Sequence, residues 1–226
     1  MPSRASNGQT ADGGRAPRER RGGPGYGAGM TEEAHRIDAE VRLRPVALAD
    51  AGPLAESLSR SRTYMRPWEP VRPDAFYTEE GQRERLAVAL ADRAAGRAMP
   101  WVICDAQDRA IGTFTLNGVV LGPFRSAALG YWVDVDYAGR GLATAAVRLI
   151  CELARDELRL HRIEAATLPY NEASQRVLAK CGFEQIGLAP GYLHIDGAWR
   201  DHRLFQRVLH DGPVTGAPTG AAAGAC

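Results

Sequence analysis

The chain has 226 residues, enough to bury one full hydrophobic core and too few for two large domains. Hydrophobic residues make up 45% and charged residues 24%, the composition of a folded domain and not of a disordered chain. The formal charge of +1 hides five arginines against Asp12 and Glu19 in residues 1–30; residues 31–210 hold 23 basic and 24 acidic side chains, a balance that excludes gripping a nucleic-acid backbone through bulk charge.

Residues 1–29 contain eight glycines and only Tyr26 as a large apolar group, so burial there cannot offset ordering entropy. Residues 1–38 are expected to be a disordered tail, with Met30 an alternative start, and residues 211–226, rich in Gly, Ala, Pro and Thr, a second tail. The domain is then 39–210. No run approaches 18 apolar residues, so no membrane span is expected. The first thirty residues lack the apolar stretch of a secretory signal. Cys104, Cys151, Cys181 and Cys226 stand far apart with no adjacent histidines, which points to free thiols, a reducing compartment and a cytoplasmic location.

Val41–Val46 alternates and reads as a first strand. Leu48–Leu58 carries Ala51, Leu54, Ala55 and Leu58 at helical spacing. The stretch 59–77, with its prolines and Tyr64, Met65, Trp68 and Phe76, reads as an aromatic loop, either an acceptor groove or a lid on the core. Thr78 is placed to cap a helix reaching Ala95, with Gly96 as its stop. Trp101–Cys104 and Ile111–Leu116 flank a turn at residues 105–108; residues 117–125 are looser, and Leu129–Val135 alternates as the next strand. Leu142–Leu158 is the clearest amphipathic helix. Arg162–Leu168 is strand-like, Asn171–Cys181 is a capped helix, and 183–188 and 193–209 are strands interrupted by a turn at Asp196-Gly197. A mixed sheet with helices on both faces satisfies these patterns.

The informative join is Val135-Asp-Tyr-Ala138-Gly139-Arg140-Gly141-Leu142-Ala143-Thr144. Two glycines frame an arginine between a strand and a long helix, so inward-turned amides, the helix dipole and a side-chain charge could hold a pyrophosphate. A tight turn explains the same glycines. No Gly-Lys-Ser or Gly-Lys-Thr follows, so it is not a P-loop. A dinucleotide fingerprint would need a third glycine where Thr144 stands, and an acidic residue at a strand end, whereas Glu164 lies inside one.

These residues resemble the GNAT superfamily of N-acetyltransferases. Ala138–Ala143 looks like its Arg/Gln-x-x-Gly-x-Gly/Ala acetyl-CoA motif, with Gly141 as the first fixed glycine, Ala143 as the second small residue, and Ala138 where Arg or Gln is usual. The match is nearest to the RimJ/RimL type, ribosomal-protein N-terminal acetyltransferases. It is carried by Tyr64-Met-Arg-Pro-Trp68-Glu-Pro70, Ala128-Leu-Gly-Tyr-Trp-Val133, Leu160-His-Arg-Ile-Glu-Ala165, Asn171-Glu-Ala-Ser174, Gly182-Phe183 and Gly191–His202 in order, over roughly residues 41–209. The resemblance implies a mostly antiparallel twisted α/β sheet of about seven strands with about four helices, splayed beside Val133. It implies acetyl-CoA as cosubstrate, no metal, and Trp132, Val133, Val135, Ala138, Gly139, Arg140, Gly141, Leu142, Ala143, Thr144, Asn171 and Ser174 at the cofactor. Asn171 is also, by itself, a helix N-cap. The implied acceptor is a protein N-terminus of the ribosomal-protein alanine type. The alternatives are a small amine and a non-catalytic acyl-CoA binder. No nucleic acid or membrane partner is expected, and the protein would be a monomer or homodimer.

Acyl transfer from a thioester needs a neutral amine, donors for an oxyanion and a proton for the departing thiolate. Neutralising an α-amine at pH 7 costs about 1 kcal/mol, against about 4.6 kcal/mol for lysine, so a weak base suits an N-terminus. RimI-type relatives carry a glutamate and a tyrosine where this chain has Ala166 and Leu178. In RimL-like enzymes a serine matching Ser174 donates the proton. For the base, Glu69 on the loop at the amine entrance is preferred, with Glu164 as rival carboxylate. Tyr64, Met65, Trp68, Glu69, Tyr192 and His202 are the candidate acceptor-binding residues. His161, His194 and His202 lack metal-ligand spacing.

Overall fold

The computed structural model describes residues 33–212, so most of the tails expected at 1–38 and 211–226 lies outside the described residues. Among the described residues eight strands form one sheet, neighbours following chain order except that the last strand lies between the sixth and the seventh. The first, β1 (His35–Arg36), pairs antiparallel with β2 (Arg42–Pro45). It falls inside the stretch expected to be tail. Asp38 makes the reversal, its carboxylate accepting the Glu40 and Val41 amides at 2.8 Å, so the ordered edge begins earlier than composition suggested.

After a single 3-10 turn, α1 runs Ala51–Met65. The segment from Ser59 was expected to be loop, but it contains no Gly or Pro until Pro67, and nothing stops the helix before then. Tyr64 and Met65 therefore sit on the last turn of α1, and Trp68 on a following 3-10 turn. Helix α2 (Glu79–Ala94) starts where Thr78 caps it, its Oγ accepting the Gly81 amide at 3.1 Å. Strands β3 (Ala98–Cys104), β4 (Ala110–Val120) and β5 (Ser126–Val133) form an antiparallel meander.

Helix α3 (Leu142–Asp156) buries Leu142, Ala146, Val147, Ile150, Cys151, Leu153 and Ala154. This stripe shares a core with Leu43, Ile103, Phe114, Leu129, Ile163 and Phe205 of the sheet, and α4 (Glu172–Lys180) adds Leu178 on the same side. Helices α1 and α2 cover the other face, where Leu54 and Leu86 meet Val102 and Cys104. Adjacent residues Val102 and Ile103 thus serve opposite cores, as period-two alternation requires. Each buried Leu, Ile or Phe contributes roughly 1.5–3 kcal/mol.

Strand β6 (Arg162–Thr167) is parallel to β5, and β8 (Ala198–Val208) is antiparallel to β6. The outermost strand is β7 (Glu184–Ile195), one continuous strand with a bulge at residues 189–193 in place of two separate pieces. The decisive feature is the β5–β6 junction. Only Ser126, Ala127 and Ala128 pair with Arg162, Ile163 and Glu164. Beyond them Leu129–Val133 and Ala165–Thr167 separate, and the sheet opens on the side where α3 and α4 begin.

Candidate active site

The opening forms a cavity of about 330 Å³. Leu129–Val133 lines one side and Ala165–Leu168 the other, with Asn171, Ser174 and Val177 from α4 above and Tyr64, Met65 and Trp68 closing the far end. Along the divergent edge of β5, alternate backbone groups lose the ladder partners that a closed sheet would supply. The Thr167 hydroxyl, on the opposite wall, is buried and has no partner among the described residues.

A second cavity of about 240 Å³ continues from Val133, Ala138, Gly139 and Ala143, which line both, to Gly141, Thr144, Arg176 and Lys180. Gly139 and Gly141 have φ of 76° and 83°. That left-handed backbone is natural for glycine and reverses the chain into α3 without a side-chain cap. The first helical bond runs from the Ala145 amide to the Gly141 carbonyl at 3.1 Å. Among the described residues, no protein acceptor takes the amides of residues 139–144. Six free N–H groups at the positive end of a 15-residue helix make an anion site. Charge comes from elements the sequence reading passed over: Arg176 and Lys180 on α4, with Arg148 beside Lys180 along the outer rim.

The loop is held from below by a buried polar network. The Asp134 carboxylate, fully buried, accepts from the Ser57 hydroxyl, the Arg60 guanidinium and the Asp136 amide (3.0 Å). Ser61 Oγ accepts the Val135 amide at 3.1 Å. Helix α1 is thereby bolted to the start of the loop. Burial alone would raise Asp134, but the bonds from Arg60, Ser57 and the Asp136 amide outweigh it and hold the carboxyl below its usual range.

At the inner end of the cavity Ser174 Oγ lies 2.8 Å from the Tyr131 hydroxyl, while its amide donates to Asn171 Oδ1 at 3.0 Å. Tyr131 stacks on Phe114 with ring centroids 5.4 Å apart, and burial pushes its phenol up to about 12, so it stays protonated near neutrality. Alternation marked Tyr131 only as an apolar-face residue of its strand. No local signal shows that it reaches the first turn of α4.

Of the expected cofactor residues, Trp132, Val133, Ala138, Gly139, Ala143, Asn171 and Ser174 line the larger cavity, and Gly141, Leu142 and Thr144 line its continuation. Val135 lines neither; its amide is tied to Ser61. The Arg140 guanidinium also turns elsewhere, lying 5.2 Å over the Tyr137 ring and 3.4 Å from Glu40. The loop therefore offers backbone donors where a flanking arginine was expected.

Of the candidate acceptor-binding residues, Tyr64, Met65, Trp68 and His202 line the cavity. Tyr192 stands outside, half-exposed, with its ring 5.5 Å from that of His202. Neither proposed carboxylate lines the cavity. Glu69 is largely buried beside Arg72 at 3.8 Å, and burial raises it above the usual carboxylate range. Glu164 pairs with Arg162, two positions before it on β6, at 2.5 Å. Cys104, Cys151 and Cys181 are buried free thiols, raised by burial, to about 12 for Cys104 and about 11 for Cys151; none lines the cavity. Among the described residues no three or more His, Cys, Asp or Glu side chains converge, and no helix is long and apolar enough to cross a membrane.

The acetyltransferase (GNAT) domain family matches residues 40–184. The chain belongs to this family. It is an acetyl-CoA-dependent N-acetyltransferase. A Bacillus subtilis (strain 168) protein named "Probable N-acetyltransferase YjcK" is 36% identical over 172 residues, covering 76% of this chain and 95% of that protein. The "[Ribosomal protein uS5]-alanine N-acetyltransferase" of Escherichia coli (strain K12) is 35% identical over 170 residues, covering 75% and 88%. The structure of Mycobacterium smegmatis RimJ in complex with CoA-disulfide superimposes with a TM-score of 0.71 at 35% identity, covering 74% of this chain and 81% of that one. Free amides at residues 139–144 and the orphaned Thr167 hydroxyl fit a donor substrate that carries a diphosphate and pantetheine amides.

Proposed function

We propose that this transferase acetylates the α-amine of a protein N-terminus, of the ribosomal-protein alanine type, in the cytoplasm. The observation that carries the reading is the cavity wall, which holds no Asp, Glu, Lys or Arg. Such a site has no carboxylate to stabilise a lysine ammonium, and it suits an amine that is cheap to neutralise. The aromatic mouth supports a peptide: the Trp68 ring centroid lies 5.8 Å from that of Tyr170, and Tyr64, half-exposed, lines the same cavity as Trp68. The named activity of the Escherichia coli relative points the same way.

The roles follow from the geometry. The amides of residues 139–144, with Arg176 and Lys180, hold the diphosphate end of acetyl-CoA, which supplies an activated acetyl thioester. Unpaired backbone groups of β5 orient the acyl end and favour charge on its oxygen. When the Tyr131 phenol donates to Ser174 Oγ, the serine keeps its own proton for the departing thiolate. Asn171 fixes Ser174 through its amide.

Two measurements test this. In a thiol-release assay, a peptide with a free N-terminal alanine is expected to react on the order of 100-fold faster at pH 7 than an Nα-blocked lysine peptide. Equal rates, or turnover of small amines alone, would remove the acceptor assignment. Ser174→Ala is expected to lower kcat at least tenfold with acetyl-CoA affinity unchanged; an undiminished kcat would remove its role as acid.

A further inference from the structure

The cavity at the sheet split is walled by 21 residues, and a single one of them, His202, offers a nitrogen lone pair that can accept a proton. The residue is 4% exposed and lines the cavity from β8, where β6 has ended. Its tautomer follows from its neighbour. His202 Nδ1 lies 3.0 Å from the Arg200 carbonyl oxygen, which can only accept. The ring proton therefore resides on Nδ1, and the lone pair is on Nε2. The Tyr192 ring, from β7, packs against the imidazole with centroids 5.5 Å apart. Asp201, the adjacent carboxylate, is engaged by the Gly191 amide at 2.8 Å. The remaining titratable groups on the wall are the phenols of Tyr64 and Tyr131.

We propose that His202 Nε2 is the general base of the transfer, taking the place expected for Glu69 or Glu164. The inference rests on the acetyl-transfer reading above. One N–H bond of the acceptor ammonium breaks and its proton passes to Nε2, giving an imidazolium held by the Arg200 carbonyl. The freed nitrogen pair forms the bond to the acetyl carbon as the carbon–sulfur bond breaks, and the thiolate takes a proton from the Ser174 side. The second amine proton passes through water to restore the Ser174 hydroxyl, and the imidazolium then gives its proton to solvent. A histidine so placed explains how a wall without carboxylates can activate an amine.

His202→Gln keeps the size and one hydrogen-bond donor of the side chain but cannot take up the proton. It is expected to lose about 100-fold or more in kcat/KM for an N-terminal alanine peptide while binding acetyl-CoA within twofold of wild type. In His202→Ala, added imidazole is expected to restore turnover in proportion to its concentration, which a merely structural histidine would not allow. Independently of activity, a long-range proton–nitrogen correlation spectrum of the wild-type protein, with His202 identified through its ring contact to Tyr192, is expected to show a protonated Nδ1 and a bare Nε2. The opposite tautomer, or His202→Gln turning over within threefold of wild type, overturns the assignment of His202 alone. A wild-type protein that binds acetyl-CoA yet releases thiol with no amine overturns both this inference and the transferase reading beneath it.

Discussion

Gly141→Glu is expected to weaken acetyl-CoA binding on the order of 100-fold. Two effects add. Gly141 has a φ of 83°, where a side chain costs roughly 1–2 kcal/mol. No atom lies within 4 Å of the position a Cβ would take, so the side chain is not refused by crowding and extends into the opening. There its carboxylate stands among the free amides of residues 139–144 and repels a diphosphate. Two like charges about 4 Å apart at a protein surface repel by up to about 4 kcal/mol, reduced by salt and exposure. Calorimetry with acetyl-CoA measures the loss, with Gly141→Ala as the control that carries only the backbone part. A folded Gly141→Glu protein with wild-type affinity would show that the diphosphate binds elsewhere.

Asp134→Ala is expected to destabilise the fold by about 3–5 kcal/mol, because it strips the partner from Arg60 and from the buried Ser57 hydroxyl at once. Arg60 is partly exposed and can rehydrate, which places the value toward the lower end. Against a total of about 5–15 kcal/mol the loss is large. Urea unfolding monitored by tryptophan fluorescence reads it. The same carboxyl gives an acid dependence. Its folded pKa lies below the unfolded value, about 3.9, so its contribution is complete above that pH and is lost as pH falls through the folded value. Asp134→Asn should therefore be less sensitive to acid than wild type over that window. An Asp134→Ala protein within 1 kcal/mol of wild type would mean that the network is not what holds α1 to the loop.

Much of the fold was legible in the sequence, because it rests on local rules. Thr78 and Asn171 announce the starts of α2 and α4 through the amides they accept, and both caps are present. The stripe from Leu142 to Ala154 requires a helix with one buried face. The glycine pair at 139 and 141 marks the loop, since both adopt the left-handed backbone. Where local rules failed, the reason is physical. The end of α1 was placed too early because aromatic residues near prolines read as loop, although Pro67 is the first residue that obstructs the helix. The bulge at residues 189–193 let β7 run through Pro190-Gly191, because an edge strand can forgo ladder bonds there.

What sequence alone determined is most of the helices and central strands, the family and the backbone loop, since turns, caps and amphipathic stripes are written within a few neighbouring residues. Tertiary structure decided which side chains meet. Tyr131 reaches Ser174 across 43 positions, Asp134 reaches Ser57 across 77, and His202 enters a cavity from which Glu69 and Glu164 are shut out. Those pairings depend on where β5 and β6 part company. That split arises from the packing of a whole sheet between two helical layers, and no short segment encodes it.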